Sequence, residues 1–321
     1  MNGWCKLEWI QPMEPILRPD IAEGEDWVHE IKWDGIRGLT YIRDGRLQVF
    51  TKHRNERTDF YPELSEVSGL LDGKQAVLDG EIVVFGEEER PSFYYALIRE
   101  RVRDAGRVRR YSELYPAKYI LFDIMEYNGR DLTATPLLER KRILENAVAR
   151  SGNISRTDPF PDGRGLYELM KAKNWEGIVS KRKDSRYIAG KAHDSWYKTK
   201  LSRKMLTVLG GIQWKSGMPN SLLLGVYRDG ALAFVGKASL GLNQEQLYLL
   251  KEQSAGLGRK ECPFIRESLT GVKGEFTWLE PVLTCWAHFM ELTADGHMRH
   301  PKILGFTSAG PSLANGKEYV E

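Results

Sequence analysis

The run Glu30-Ile31-Lys32-Trp33-Asp34-Gly35-Ile36-Arg37 decides how the rest of the chain is read. Glu30, Lys32, Asp34 and Arg37 are charged, yet they are interleaved with Ile31, Trp33 and Ile36, residue types that favour strands. Burying a lone charge is costly. The segment is therefore either a solvated strand edge or a place where charges converge on a bound group. Strand signals continue outward from it. Residues 39–52 (LTYIRDGRLQVFTK) read as a hairpin whose Asp44-Gly45 turn supplies two positive-φ positions. AVLDGEIVVF (76–85) and KYILFDIMEYNG (118–129) are apolar runs of strand length, each interrupted by acids that must face something polar. TPLLERKRILENAVAR (135–150) reads as a helix capped by Thr135, with Pro136 in its first turn and Leu137, Leu144, Ala147 and Val148 on one face. A second helix is predicted over GLYELMKAKNW (165–175), followed by a strand at GIVSKR (177–182). Consecutive strands lie too close together for helical crossovers, which predicts an α+β domain with mostly antiparallel sheets.

After about Lys204 the texture changes to closely spaced strands around an Asp229-Gly230 turn, with one helix in NQEQLYLLKEQSAGLG (243–258). That pattern predicts a small Greek-key barrel of the OB type. The boundary is placed within 201–206, giving domains of 1–203 and 204–321. The 321 residues are 41% hydrophobic and 28% charged, as in globular proteins. No run approaches the roughly 18 apolar residues of a membrane span. No export signal is read at the N-terminus, so a cytoplasmic protein is expected. Cys5, Cys262 and Cys285 are too scattered for a disulfide framework, and no Cys/His spacing suits zinc. A net charge of +3 permits a polyanionic partner without requiring one. Six arginines between Arg99 and Arg110, against Glu100 and Asp104, are enough for a local positive surface.

Lys32 gains meaning as a nucleophile. With a free pKa of about 10.4, on the order of one amine in a thousand is unprotonated at neutral pH, so the site must change that balance. Burial and neighbouring cations lower an amine's pKa, and the chain offers Arg37 nearby and Lys181, Lys198 and Lys200 in later strand-like segments. Crowded lysines need an anion. A nucleoside triphosphate supplies one, since lysines around its α-phosphate neutralise charge in the transition state while a divalent metal neutralises the pyrophosphate. Asp34, Glu81 and Glu176 are hard carboxylates suited to magnesium or ribose hydroxyls, and Phe122 offers a flat apolar face to a purine. Singly, each has an ordinary structural reading, the acids as surface groups and Phe122 as core. Their joint occurrence carries the weight.

KWDGIR (32–37) matches the Lys-x-Asp-Gly-x-Arg signature of the covalent nucleotidyltransferases, a superfamily of ATP-dependent DNA ligases, RNA ligases and capping guanylyltransferases. In order along the chain, LDGEIVVF (78–85) resembles motif III, LFDI (121–124) motif IIIa, EGIVSKR (176–182) motif IV and WYKTK (196–200) motif V. The resemblance is narrowest to the ligase component of bacterial end-joining ligases. PSFYYALIRER (91–101), GRDLTATPLLERKRIL (129–144) and TWLEPVLTCWAHFMELTADGHMRHP (277–301) are similar to that group, so it covers almost the whole chain.

The resemblance implies a nucleotidyltransferase domain followed by an OB domain, and a polynucleotide ligase using ATP with Mg2+ or Mn2+. It implies that Lys32 forms the phosphoramidate with AMP, that Glu30 and Ile31 meet adenine, and that Phe122 stacks on it. Arg37 and Glu81 would address the ribose or a nearby phosphate, Lys198 and Lys200 the α-phosphate, and Lys52 and Lys181 the nucleotide. Asp34 would support Lys32, and Glu81 and Glu176 would place metal. Nicked or broken duplex DNA is the implied substrate, a Ku-type end-binding protein the implied partner, and a monomer the implied state. RNA ligation, guanylyl transfer and catalytically weak DNA-end binding are the alternatives. The sequence departs from the family in Lys52, where arginine is usual, in Arg54, where glycine is common, and in Lys302, where an apolar residue is expected. The Arg/Asp-Lys tail that follows in motif VI is missing.

Overall fold

The computed structural model describes residues 9–86, 89–239, 242–269, 272, 274–293 and 295–320. Cys5 lies outside them; Cys262 and Cys285 are free thiols. The chain divides into two compact units, Met1–Lys200 and Leu201–Glu321. None of the described helices is long and apolar enough to cross a membrane.

In the first unit the strands are β1 (Glu14–Leu17), β2 (Trp27–Ile31), β3 (Ile36–Arg43), β4 (Arg46–Thr51), β5 (Gln75–Val84), β6 (Ala117–Tyr127), β7 (Arg130–Asp131), β8 (Ile154–Arg156), β9 (Gly177–Arg182) and β10 (Ala192–Lys200). They form two sheets, ordered β1-β10-β9-β2 and β4-β3-β5-β6-β7, with β8 added beside β6. Among the described residues of this unit, β1 with β10 and β6 with β8 pair in parallel and the other strand pairings are antiparallel, as expected. The predicted hairpin joins β3 to β4 with Asp44 and Gly45 at φ of 49° and 75°.

Alternation along the strands sorts their side chains. Ala76, Leu78, Ile82 and Val84 of β5 pack into one core with Tyr119, Leu121 and Leu144. Val77, one step out of phase, packs instead with Val28, Leu39, Tyr41, Met125 and Trp196, contributed by strands of both sheets. Asp79 and Glu81 share the parity of Val77, so the same period of two that fills the core delivers two acids to the space between the sheets.

The helix Leu137–Ala147 splits the predicted apolar face: Leu144 and Ala147, with Val148 just beyond it, pack in the first core, whereas Leu137 packs in the second with Val77 and Trp196; its cap also differs. Pro136 occupies the N-cap without a side-chain bond, and the Thr135 carbonyl accepts from Arg140 Nη1 at 2.5 Å. The first intrahelical bonds, from the Glu139 and Arg140 N–H groups, run to the Pro136 carbonyl, so the helix begins one residue too late for Thr135 to be its cap. The helix predicted over 165–175 runs from Gly163 to Ala172, begun earlier by Asp162, whose side chain accepts from Gly165 N.

The second unit contains β11 (Arg203–Lys215), β12 (Met218–Arg228), β13 (Ala231–Ser239), β14 (Gly258–Arg259), β15 (Thr277–Leu279), β16 (Thr284–Phe289), β17 (Lys302–Thr307) and β18 (Glu318–Val320). β11 pairs with both β12 and β16, β13 runs parallel to β17, and β17 pairs with β16, so the path β11-β12-β13-β17-β16 closes on itself. The helix Gln244–Ser254, with a capping box between Asn243 and Gln246, sits in the connection from β13 to β16. This closed five-stranded path is the OB barrel. Lys302 is exposed at the start of β17, so its charge costs the barrel core nothing.

Asp123 and Arg140 form a fully buried ion pair, with Nε donating to Oδ1 at 2.7 Å and Nη2 to Oδ2 at 2.8 Å. Burial opposes ionisation of Asp123, but Arg140 outweighs it and holds the carboxyl below its ordinary range. Its contribution is therefore present above the unfolded-state pKa of about 3.9 and is lost as pH falls through the lower folded value. Asp123→Asn should lower the unfolding free energy by about 3–5 kcal/mol in denaturant titration, because Arg140 remains buried without its charge partner. The double change Asp123→Leu/Arg140→Met should cost less than the single one; a single variant as stable as the parent would contradict the assignment.

Candidate active site

A cavity of about 490 Å³ opens in the first unit, lined by residues of β2, β3, β5, β6, β9 and β10 as well as Lys32. Its walls come from both sheets. The glycines of the two charged motifs allow close approach here: a Cβ on Gly35 would lie 2.3 Å from the Ile82 carbonyl oxygen, and one on Gly80 would lie 2.5 Å from the Tyr119 ring. Gly80 lies opposite a bulge in β6: Asp79 pairs with Asp123 and Gly80 with Leu121, so Phe122 is the extra residue.

Lys32 lies just beyond β2, its backbone N–H donating to the Gly177 carbonyl at 3.0 Å. Its ammonium donates to Glu176 Oε2 at 2.6 Å, and Lys200 Nζ stands 2.7 Å from Glu176 Oε1. One carboxylate thus grips two lysines. The expectation that crowded cations depress the pKa of Lys32 is overturned. Burial does pull it down, but Glu176, Glu81 and Asp34 more than offset this and leave the amine above its ordinary value. The depressed amines are others. Lys198 is lowered by burial and by Lys32 and Lys200, and Lys181 by burial, with Glu30 opposing and Lys141 adding to the fall.

Glu30 and Ile31 end β2 and line the cavity beside Phe122 and Lys181. Glu30 is buried and clamped between Lys181, at 2.7 Å, and Lys141 of the helix Leu137–Ala147. Sequence reasoning missed Lys141; the apolar pattern of its helix passes over the cations that follow the buried stripe. Lys181 Nζ lies 4.7 Å from the centroid of Phe122, and the Arg37 guanidinium 5.2 Å from it. Arg37 is itself held: Nε and Nη2 donate to Asp79 at 2.9 and 2.6 Å, and the Tyr187 hydroxyl donates to Asp79 Oδ2 at 2.6 Å. Asp79 and Tyr187 were not anticipated either. Asp79 stands two positions from Glu81, the residue directly opposite Arg37, which is the diagonal neighbour a long side chain reaches.

Lys52 lines the cavity near its rim and pairs with Glu14 at 3.7 Å. Arg54 adopts φ of 63°, the left-handed conformation that glycine takes without penalty, which explains why a turn here favours glycine. Glu81 also lines the cavity; burial pushes its pKa up to about 8 against the opposing pull of Lys32 and Arg37. Among the described residues no group of three or more His, Cys, Asp or Glu is gathered to hold a metal on its own. Glu81 and Glu176 nonetheless fit magnesium, which commonly takes one or two carboxylates together with substrate phosphates and water. The cavity volume falls within the range of small-molecule sites. The predicted residues Glu30, Ile31, Lys32, Arg37, Lys52, Glu81, Phe122, Lys181 and Lys198 therefore converge on one cavity, with Glu176 and Lys200 attached through the ionic cluster.

Residues 14–200 match the family described as ATP dependent DNA ligase domain, and residues 215–308 match the ATP dependent DNA ligase C terminal region. The chain is 30% identical over 291 residues to the multifunctional non-homologous end joining DNA repair protein LigD of Mycobacterium tuberculosis, covering 88% of this chain and 36% of that protein. It is 33% identical over 248 residues to a DNA ligase of Methanothrix thermoacetophila, covering 74% of this chain and 44% of the relative. A solved structure, mycobacterial DNA ligase D complexed with ATP and MES, is 29% identical with a TM-score of 0.53, over 95% of this chain and 97% of that one. The chain thus spans about a third of the length of its mycobacterial relative, and by the match over its first unit it belongs to the ATP-dependent DNA ligase family.

Proposed function

We propose that this chain seals 5'-phosphate/3'-hydroxyl nicks in duplex DNA through a lysine–AMP intermediate on Lys32, in the joining of broken DNA ends. Residues 1–203 serve as the adenylation domain and 204–321 as the OB domain; the chain acts as a monomer, with a Ku-type protein as its partner at ends. The observation that carries the reading is the placement of Lys32 at a cavity that also presents Phe122, Arg37, Lys181 and Lys198. A purine ring fits against Phe122, and Glu30 with Lys181 offers an acceptor beside a donor, the complement of adenine's amino group and N1.

In the first step the Lys32 amine attacks the α-phosphorus of ATP. An N–P bond forms, the bond from phosphorus to the bridging oxygen breaks, and pyrophosphate leaves. Before attack the ammonium, gripped by Glu176, loses a proton to solvent; Glu176 itself is held below its ordinary pKa by Lys32 and Lys200. Lys198 and Lys200 neutralise charge on the α-phosphate, and Asp34 and Glu176 keep Lys32 in place. The AMP then passes to a DNA 5'-phosphate, and the 3'-hydroxyl displaces it. Such displacements depend on in-line placement and charge neutralisation more than on a strong acid or base. Glu81 and Glu176 would hold a divalent cation, Mg2+ or Mn2+, which supplies charge neutralisation on the polyphosphate.

Incubation with α-labelled ATP and magnesium should leave acid-stable label on the protein, and Lys32→Ala should abolish it; label persisting on the variant would remove the nucleophile assignment. Because the Lys32 ammonium is held charged, single-turnover labelling should accelerate as pH rises between about 6 and 9. A flat profile would mean that deprotonation does not limit the step. Phe122→Ala should raise the KM for ATP by roughly tenfold or more, since base–aromatic stacking is worth about 1–3 kcal/mol. An unchanged KM would place the base elsewhere.

A further inference from the structure

The arginine-rich stretch resolves into two different parts. Arg99 is buried and structural, with Nη1 and Nη2 donating to the Glu63 carboxylate at 2.5 and 3.0 Å. Arg101, Arg103, Arg107, Arg109 and Arg110 are exposed on the loop and on the helix Ala105–Leu114. The three acids nearest them in sequence, Glu100, Asp104 and Glu113, are engaged locally, Glu100 with Arg57 at 3.2 Å. Asp104 accepts from the Gly106 N–H at 2.8 Å as the helix cap and lies 3.6 Å from Arg107; Glu113 accepts from Arg109 at 3.3 Å. Arg101 and Arg110 form no ion pair among the described residues.

A cleft of about 350 Å³ opens there, lined by Ile98, Arg101, Arg103, Arg107 and Tyr111 among others. It lies beside the adenylation cavity in the same unit. The helix Phe93–Glu100 gives Phe93, Leu97 and Glu100 to the cavity and Ile98 to the cleft. Arg57 fastens the start of the basic loop to the chain after β4, its Nη2 donating to the carbonyls of Glu100 at 2.5 Å and Val102 at 3.0 Å. The guanidinium groups therefore stand on a braced support behind the cavity wall.

We propose that this cleft is a phosphate track for the duplex flanking the reactive end. The inference rests on the ligase reading above and extends it to a surface outside the nucleotide cavity. A DNA strand with its 5'-phosphate in the cavity continues past the helix Phe93–Glu100, where the next phosphates meet the arginines. Guanidinium forks match phosphate oxygens in pairs. Arg101, Arg103 and Arg107 line the cleft together with Asp104 and Tyr111, and with the guanidinium groups on backbone phosphates the contact positions the duplex without reading its sequence.

The test is binding of the full chain to a nicked duplex across a salt series, with self-adenylylation measured in parallel. Arg101→Gln/Arg103→Gln/Arg107→Gln should keep the rate of self-adenylylation. It should weaken nick binding by on the order of tenfold or more at 0.1 M salt and reduce the slope of log K against log salt by about 2–3. Glu113→Lys should act oppositely, tightening binding and steepening the slope. Unchanged affinity and slope in both variants would overturn the track, as would a triple variant that loses self-adenylylation, or competition by polyglutamate as effective as by DNA. A parent protein that neither takes up adenylate nor binds the nick would instead overturn the ligase reading itself.

Discussion

One carboxylate between two lysines organises this site. Glu176 stands at the head of β9 and holds Lys32, from the loop after β2, and Lys200, from the end of β10, at 2.6 and 2.7 Å. Three strands of one sheet thereby bring their charged ends to a common point. Removing the carboxylate would leave the ammonium groups of Lys32, Lys198 and Lys200 facing one another with less compensation, an arrangement a folded chain supports poorly. An incoming triphosphate supplies the anion that this arrangement accommodates. The free protein thus keeps Lys32, the proposed nucleophile, charged and in place, and in the proposed reaction the nucleotide changes that balance.

Fixed partners hold the groups around Phe122 as well. Arg37 of the opposite sheet is locked by Asp79 and Tyr187, while Glu30 and Lys181 of the same sheet as Glu176 are tied to each other and, through Glu30, to Lys141, so these groups are oriented before any ligand arrives. Preorganisation of this kind lets binding energy act on the nucleotide and not on ordering side chains. Its supports reach into the core. Arg140, one residue before Lys141, pairs with Asp123, which follows Phe122, so the stability of the fold and the geometry of the cavity share the same helix and strand.

Much of this was legible in the sequence because strands announce themselves by a period of two and tight hairpins by Asp-Gly. The acids of LDGE share the parity of Val77, and Trp196, Lys198 and Lys200 alternate along β10, which is why the site residues could be gathered from short motifs. The direction of the Lys32 shift was not legible. Glu176 is 144 positions away and touches Lys32 only through the pairing of β2 with β9, whereas the motif order draws attention to the cations. Lys141 and Tyr187 were hidden for the same reason, and Arg99 looked like surface because a charge run does not reveal which member points inward. The left-handed turn at Arg54 is legible only as a departure from glycine.

The most direct test of the account is intact-mass analysis of the protein after exposure to ATP and magnesium, followed by peptide mapping of the modified species. The account predicts the mass gain of a single adenylyl group, carried on Lys32. A folded protein that gains no adenylyl group, or that carries it on another residue, would contradict it.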